Sequence, residues 1–160
     1  MSKSKLRRIS LREFLLILNE AKKYHALKSE PIPEVSDTEH FQIVNCLKSP
    51  FQMFDGRALY PGIHKKAAMM FYLLIKNHPL KNGNKRLAIL TTWWFYLTNG
   101  YHLRIRSRNI SILEAIDVWD SDNYIYKLAM KTVNSKSDDK DVIVSDIEKN
   151  FIKFAKHRRD

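Results

Sequence analysis

The stretch NHPLKNGNKRLA, residues 77–88, joins two apolar segments of the chain. Apolar side chains recur at helical spacing in residues 63–77, and a second apolar run follows in residues 84–97. Both segments are apolar on more than one side, which is typical of helices at the centre of a hydrophobic core. We therefore predict a central helix pair joined by this stretch, with Gly100 just after the end of the second helix.

The joining stretch carries groups that can bind an anion. Gly83 permits a positive φ and a close approach by a ligand. The first N–H groups of the following helix have no intrahelical acceptor, and the helix dipole adds partial positive charge, so a phosphate can bind there. Arg86 can hold phosphate oxygens with two parallel hydrogen bonds, Lys85 adds a point charge, and Asn84 can orient phosphates by hydrogen bonding. The sequence therefore predicts a phosphate-binding turn.

Two further polar residues of the stretch can take part in chemistry. We place His78 on the end of the first helix, where a neutral imidazole could act as general base on a hydroxyl beside the phosphate. Asn82 offers an amide oxygen that could contact a metal ion weakly.

Each residue of the stretch, taken alone, also has a structural interpretation. Asn82 or Asn84 could cap the second helix and His78 could end the first, while the Lys-Arg pair could be surface charge. The combination of His, Gly, Asn and Arg at this spacing occurs by chance at about one position in 10^5, which favours a site.

The remaining sequence predicts mostly helices and one extended segment. Residues 48–63, KSPFQMFDGRALYPGI, contain two prolines and two glycines among apolar residues, which indicates a flap or hairpin near residues 50–60. Residues 110–119 and 123–133 have a helical pattern. The predicted fold is therefore all-α, in a single domain that spans residues 1–160.

Short signals predict where several of the outer helices lie. Ser10 and Glu13 have the spacing of a capping box ahead of an apolar run, and Ser145 and Glu148 have the same spacing. The apolar face of a further short helix is predicted to consist of Phe41, Val44 and Leu47.

The composition limits the classes of protein and of partner. The 160 residues, 44% of them hydrophobic, can build one core, and no run of about 18 apolar residues predicts a membrane span. The single cysteine, Cys46, cannot form an internal disulfide, so we expect a cytoplasmic protein. Lys and Arg outnumber Asp and Glu by 28 to 17. The net charge of +11 can attract nucleic acid, nucleotide phosphates or an acidic protein, or it can be a solvated surface without a partner.

Residues 78–88, HPLKNGNKRLA, resemble the signature of the Fic/Doc (Fido) family, His-x-Phe-x-Asp/Glu-Gly/Ala-Asn-Gly/Lys-Arg. Lys85 is the choice of the Doc-type (death-on-curing) toxins, and Ile89 stands where Fic-type enzymes have a second arginine. Leu80 replaces the usual Phe, and Asn82 replaces the acidic residue that binds magnesium. The likeness covers about residues 35–105, including the flap and the helix that leads into the stretch.

The resemblance implies a Fido-type helical bundle and the transfer of a phosphate-containing group from ATP to a hydroxyl side chain of a protein. Doc-type toxins transfer the terminal phosphate to a translation elongation factor, whereas Fic-type adenylyltransferases transfer AMP. By the resemblance His78 is the base, and Asn82 occupies the position of the Mg²⁺ ligand. The anion-binding loop would consist of Gly83, Asn84, Lys85 and Arg86. The flap would hold a segment of the target by strand addition, through Phe51, Gln52, Met53 and Phe54.

The sequence leaves alternatives open for how the protein is regulated and for whether it is catalytically active. The inhibitory string Ser/Thr-x-x-x-Glu-Gly/Asn of many Fic proteins does not occur in the sequence, so the resemblance implies restraint in trans by an antitoxin. Because the amide of Asn82 is neutral and Mg²⁺ favours carboxylates, a catalytically silent Fido domain that acts by binding is a second hypothesis. A nucleic-acid binder is a third, although no recognition-helix motif accompanies the basic clusters LRIRSR and KHRRD, and we do not expect it.

Overall fold

The described part of the computed structural model comprises residues 5–26, 32–104 and 123–159. It contains a short 3-10 helix (Ser49–Phe51) and six α-helices: α1 (Leu11–Ala26), α2 (Asp37–Lys48), α3 (Gly62–Lys76), α4 (Asn84–Thr98), α5 (Tyr124–Asn134) and α6 (Lys140–Phe154). Two antiparallel pairs of short strands complete it: β1 (Met53–Phe54) with β2 (Arg57–Ala58), and β3 (Tyr101–Leu103) with β4 (Ala155–His157). The all-α fold class and the hairpin near residues 50–60 are thus confirmed.

The hydrophobic core lies between α3, α4 and α6, and the predicted central helix pair is α3 and α4. Phe71 of α3 and Tyr96 of α4 both contact Phe151 of α6 edge to face, with ring centroids 5.4 and 5.8 Å apart. All three side chains are 0% exposed. Burial of one such ring stabilises a fold by about 1.5–3 kcal/mol, so this contact fixes α6 on the central pair.

The two ends of the central pair are held in different ways. The turn of residues 77–83 joins the C-terminus of α3 to the N-terminus of α4, as predicted. At the other end of α4, Gly100 has a φ of 81° and leads the chain into β3. Its carbonyl oxygen accepts the N–H of Arg158 at 2.9 Å, and Tyr101 lies opposite His157 in the β3–β4 pair. The chain after α6 is therefore tied to the end of α4.

Of the two capping boxes predicted from the sequence, one is correct and one is wrong. Ser10 and Glu13 form the predicted capping box: the Ser10 N–H donates to the Glu13 carboxylate at 3.0 Å, and the Glu13 N–H donates to the Ser10 hydroxyl at 3.2 Å. The box predicted at Ser145 and Glu148 is wrong, because both lie inside α6. That helix begins earlier, where the carboxylate of Asp139 accepts the N–H of Asp141 at 2.9 Å.

The short helix predicted around residue 44 exists as α2, but its buried face differs from the expected one. Leu47 is buried as predicted, whereas Phe41 is 67% exposed and Ile43 and Cys46 are buried instead. The helix predicted for residues 123–133 is α5, and the one predicted for residues 110–119 lies outside the described residues.

No helix in the described part of the chain combines the length and the apolar composition that a membrane span requires.

Candidate functional site

The polar residues of the turn line one cavity of about 320 Å³ at the junction of α3 and α4. The lining residues are Ile75, His78, Lys81, Asn82, Gly83, Asn84, Lys85, Arg86, Tyr126 and Val133. The structure therefore brings together every residue that the sequence assigned to catalysis, to phosphate or to metal. It also adds one cation, Lys81, and an apolar wall from α3 and α5.

Gly83 starts α4 in a conformation that leaves the helix end uncapped. It is the N-cap residue with a φ of 85° and, as a glycine, it has no side chain that could cap the helix. The N–H groups of the first turn have no acceptor within their own helix, so they are available to an anion in the cavity. A Cβ on Gly83 would lie 3.3 Å from the side chain of Ile32, so the turn also packs closely against an earlier part of the chain.

Asn84 fixes the shape of the turn with its side chain. Its Nδ2 donates to the carbonyl oxygen of Leu80 at 2.7 Å, and its Oδ1 accepts the Leu80 N–H at 2.9 Å. The residue is only 8% exposed. Because both amide groups bond to one backbone unit, the Asn84 side chain closes the loop of residues 80–84, instead of capping α4 or turning toward a phosphate.

His78 lies past the end of α3 rather than on it. The helix ends at Lys76 with Asn77 as its C-cap, and His78 then has a φ of 43°. Pro79 follows, and the residue before a proline is disfavoured in the helical region, which explains why the helix stops. The exposed imidazole borders the cavity, with its Nδ1 3.5 Å from Nδ2 of Asn84. A base at this position is accessible to a substrate hydroxyl.

Asn82 is exposed, and its Oδ1 accepts the N–H of Gly83 at 2.7 Å. This bond within the turn stabilises the local backbone. None of the described residues that line the cavity is a carboxylate, and the described residues contain no cluster of three or more His, Cys, Asp or Glu that could hold a metal. Mg²⁺ binds proteins through one or two carboxylates together with phosphate oxygens, so the donor groups present here do not fit it.

Glu39 of α2 holds the other side of the turn, and sequence reasoning did not find it. Its Oε2 accepts the N–H and the hydroxyl of Ser36 at 2.7 and 2.8 Å, and its Oε1 accepts the N–H of Lys81 at 3.2 Å. The Ser36 backbone and hydroxyl groups, with a smaller effect of Lys81, lower the pKa of the Glu39 carboxyl. The spacing of Ser36 and Glu39 signals a capping box, but no local pattern links Glu39 to a residue 42 positions later.

The flap is a hairpin with an exposed tip and an anchored base. Asp55 and Gly56 have φ values of 47° and 70°, as in a two-residue turn with both residues left-handed. The side chains of Met53 and Phe54 are 61% and 74% exposed. Phe51 differs from them, because it is partly buried and its ring packs edge to face on Phe95 with centroids 6.0 Å apart.

Gln52 belongs to the base of the hairpin by its backbone. Its N–H donates to the carbonyl oxygen of Ser49 at 3.2 Å, and its own carbonyl oxygen accepts the N–H of Leu59 at 3.1 Å. Of the four flap residues predicted to dock a target, Gln52, Met53 and Phe54 are therefore exposed, whereas Phe51 packs against the body of the protein.

Comparison with known proteins places this geometry in a family. The model of the Fic/DOC family matches residues 14–96, more than half of the chain. Over 48 residues the chain is 42% identical to Toxin Doc of Mycolicibacterium smegmatis, a stretch that covers 30% of this chain and 37% of that protein. The chain thus matches little more than a third of the length of this curated relative. No solved structure matches it. Since the family model spans more than half of its residues, from α1 through most of α4, the chain belongs to the Fic/DOC family.

Proposed function

We propose that this protein transfers a phosphate-containing group from ATP to a hydroxyl side chain of another protein, and that it is the toxin of a toxin–antitoxin pair. The observation that carries the proposal is the single cavity in which His78, the uncapped N-terminus of α4 and the cations Lys85 and Arg86 meet. Its volume of about 320 Å³ is in the range of small-ligand sites. Positive charge, an anion-binding backbone and a base in one cavity are groups that phosphoryl transfer uses to position the phosphates and stabilise their charge.

The reaction can be written with the residues of this cavity. The phosphates of ATP lie at the first turn of α4, where N–H groups and Lys85 stabilise their negative charge. The neutral imidazole of His78 accepts the proton of the target hydroxyl while its oxygen forms a bond to phosphorus. The bond from that phosphorus to the leaving group breaks, and the leaving group is ADP when the γ-phosphate moves and pyrophosphate when AMP moves. Transfer of the γ-phosphate is favoured by Lys85 and by the likeness to a protein named Toxin Doc.

The flap supplies a surface on which the target segment can dock. Gln52 and Leu59 are joined by a backbone hydrogen bond, and Met53 lies opposite Ala58 in the next pair of the ladder. Because hydrogen-bonded and non-hydrogen-bonded pairs alternate, the N–H and C=O of Met53 point away from β2. An extended segment of a target, such as a cytoplasmic translation factor, can add to this edge as a third strand.

An antitoxin is the partner that the toxin assignment implies. The likeness to Toxin Doc supports it, and the net charge of +11 suits an acidic segment of such a partner.

Label transfer in a cell lysate tests the proposed function. Purified protein is incubated with ATP labelled at the γ-phosphate or, in parallel, at the α-phosphate. We expect the γ-label on a protein of the lysate, and an α-label would instead identify AMP transfer. His78→Ala should reduce the labelling by roughly 10^2-fold or more, as expected for loss of a general base. His102→Ala, at an exposed histidine on β3, is the matched control and should leave it unchanged. Labelling that is equal in His78→Ala and the unmodified protein contradicts the proposal.

A catalytically silent Fido domain is the second candidate, because Asn82 takes the place of an acidic residue. It predicts that the protein binds ATP but transfers neither label.

A further inference from the structure

The candidate site differs from a metal-assisted phosphate site in the charges that line it. Its described lining contains three cations, Lys81, Lys85 and Arg86, and no carboxylate. A site that holds ATP together with Mg²⁺ usually also contains one or two carboxylates, which bring the metal to the phosphates. Here the protein itself supplies the positive charge that faces the phosphates.

Asn82 cannot restore a metal site. Its amide is neutral, and its Oδ1 already accepts the N–H of Gly83 at 2.7 Å. This hydrogen bond stabilises the turn in which the first N–H groups of α4 face the cavity. The Asn82 amide therefore stabilises the backbone of the turn, and it carries no negative charge that could bind Mg²⁺.

Lys81 is the cation that the family signature does not specify, and its backbone is held firmly. The Lys81 N–H donates to Oε1 of Glu39, while Oε2 of Glu39 is taken by Ser36. The Lys81 side chain is exposed and lines the cavity next to Asn82. It forms no salt bridge with a carboxylate in the described ranges. The Lys81 ammonium group therefore belongs to a residue whose backbone is held by Glu39, and it lies next to position 82, where an acidic residue would bind a metal ion.

We propose that the cavity binds the phosphates of ATP without a divalent cation, and that Lys81 supplies the positive charge that Mg²⁺ supplies where position 82 is acidic. The inference rests on the proposed function, since it takes ATP as the ligand of this cavity. Lys85 and the first turn of α4 contact the same phosphates, so the charge of a metal ion is replaced by protein groups that converge on one cavity.

The affinity of the full chain for ATP, measured by titration calorimetry in EDTA and in excess Mg²⁺, tests the inference. We expect the Kd in EDTA to lie within about twofold of the Kd in Mg²⁺. Lys81→Gln should weaken binding by roughly tenfold in EDTA, consistent with loss of one charge-assisted contact. Lys81→Arg should keep most of the affinity. Lys149→Gln, at an exposed lysine of α6 that lines a different pocket, is the matched control and should bind ATP like the unmodified protein.

A second variant reverses the metal dependence. Asn82→Asp places a carboxylate beside Lys81, so ATP binding should weaken in EDTA and recover when Mg²⁺ is added. Binding by the unmodified protein that disappears in EDTA overturns the inference but leaves the proposed function intact. Equal affinities of Lys81→Gln and Lys149→Gln overturn the role of Lys81. Absence of ATP binding both in EDTA and in Mg²⁺ overturns the proposed function itself.

Discussion

Gly83 is constrained twice, once by its own backbone and once by a distant side chain. A φ of 85° is costly for any residue with a Cβ. Independently, a Cβ at this position would lie 3.3 Å from Cδ1 and Cγ1 of Ile32, closer than side chains usually pack. Gly62 has a similar φ of 75°, but no atom of the described residues lies within 4 Å of the position that its Cβ would occupy. A comparison of alanine substitutions at the two glycines therefore distinguishes the cost of backbone strain, which both have, from the cost of crowding, which only Gly83 has.

Gly83→Ala should destabilise the protein more than Gly62→Ala does. Both variants acquire a strain of about 1–2 kcal/mol from the left-handed backbone. Only the first must also displace Ile32, which adds about 1 kcal/mol or more. Urea denaturation monitored by circular dichroism gives the two free energies of unfolding, and calorimetry with ATP should show weakened binding only in Gly83→Ala. Equal losses of stability would mean that Ile32 moves away without cost.

At the residue scale, the sequence predicted which residues meet but not where each side chain points. The residues from His78 to Arg86 are neighbours in the chain, so their convergence on one cavity needs only a turn. The direction of the Asn84 amide depends on the backbone of Leu80, and the environment of Gly83 depends on Ile32. Ile32 is about 50 residues away, and no periodicity encodes that contact. The local sequence therefore predicts which residues line the candidate site, but not the distant residues that support it.

Two serine–glutamate pairs with the same spacing have different structures. Ser36 and Glu39 form a capping box at the start of α2, with the Glu39 N–H bonded to the Ser36 hydroxyl at 3.3 Å. Ser145 and Glu148 lie within α6, whose N-cap is Asp139. A spacing of three residues is also that of neighbours on a helix surface, so the pattern alone cannot tell a helix start from a helix interior.

Substitution of each serine by alanine should separate the two roles. Ser36→Ala removes a side-chain cap and should lower the free energy of unfolding by about 1 kcal/mol. Ser145→Ala should leave it unchanged or raise it by a few tenths of a kcal/mol, because alanine favours a helix interior. Urea denaturation of both variants provides the comparison. A loss of stability in Ser145→Ala as large as that in Ser36→Ala would contradict the helix boundaries of α6.

Lys66 of α3 joins both ends of the flap. Its Nζ donates to the carbonyl oxygens of Pro50 and Tyr60, at 3.4 and 2.5 Å, and lies 5.4 Å from the centre of the Phe51 ring. Burial lowers the pKa of the Lys66 ammonium, and the nearby charge of Arg8 adds to this effect. The exposed hairpin thus leaves and re-enters the body of the protein at points held by one side chain.

Lys66→Met should therefore loosen the hairpin without unfolding the protein. Arg57 is exposed in β2 and provides a trypsin site inside the flap. We expect cleavage after Arg57 to be several-fold faster in Lys66→Met, because local opening exposes that bond. Lys65→Met is the matched control: it removes a trypsin site next to the same position and a 3.5 Å ion pair with Glu148, but no contact with the flap. Cleavage after Arg57 at the same rate in both variants would show that Lys66 does not hold the hairpin.

At the scale of the whole molecule, the helical core was predictable, and the pairing of distant segments was not. The apolar pattern before and after Gly83 gave α3 and α4 within about one residue of their observed ends. Residues 155–157 follow α6 directly and form β4, because α6 brings them beside β3 at the end of α4. A three-residue strand has no pattern of its own and forms only when tertiary structure brings an edge beside it.

Three titratable groups among the described residues make the fold sensitive to acid. Burial alone would raise the pKa of Glu13, but hydrogen bonds from Ser10 and Trp94 and the charge of Arg7 outweigh it, so the net shift is downward. The pKa of Glu39 is also lowered. His64, bonded to the Tyr96 hydroxyl at 2.9 Å, has its pKa lowered by burial, against the opposing attraction of Glu148. All three groups bind fewer protons when folded than when unfolded.

Stability should consequently fall on acidification in two stages. The unfolded chain takes up a proton on His64 near pH 6.5 while the folded protein resists it, so this contribution is lost first as the pH falls. The carboxylates contribute stability above pH 4.5, and this contribution is lost as the pH falls through their lowered pKa values in the folded protein.

Urea midpoints measured from about pH 7 to about pH 3 should therefore decrease throughout. His64→Gln should flatten the upper stage, and Glu39→Gln should reduce the lower one, to which Glu13 still contributes. Each variant is less stable than the unmodified protein at neutral pH. An upper stage that persists unchanged in His64→Gln would assign the acid sensitivity to the general repulsion of a chain with a net charge of +11, and not to the half-buried imidazole of His64.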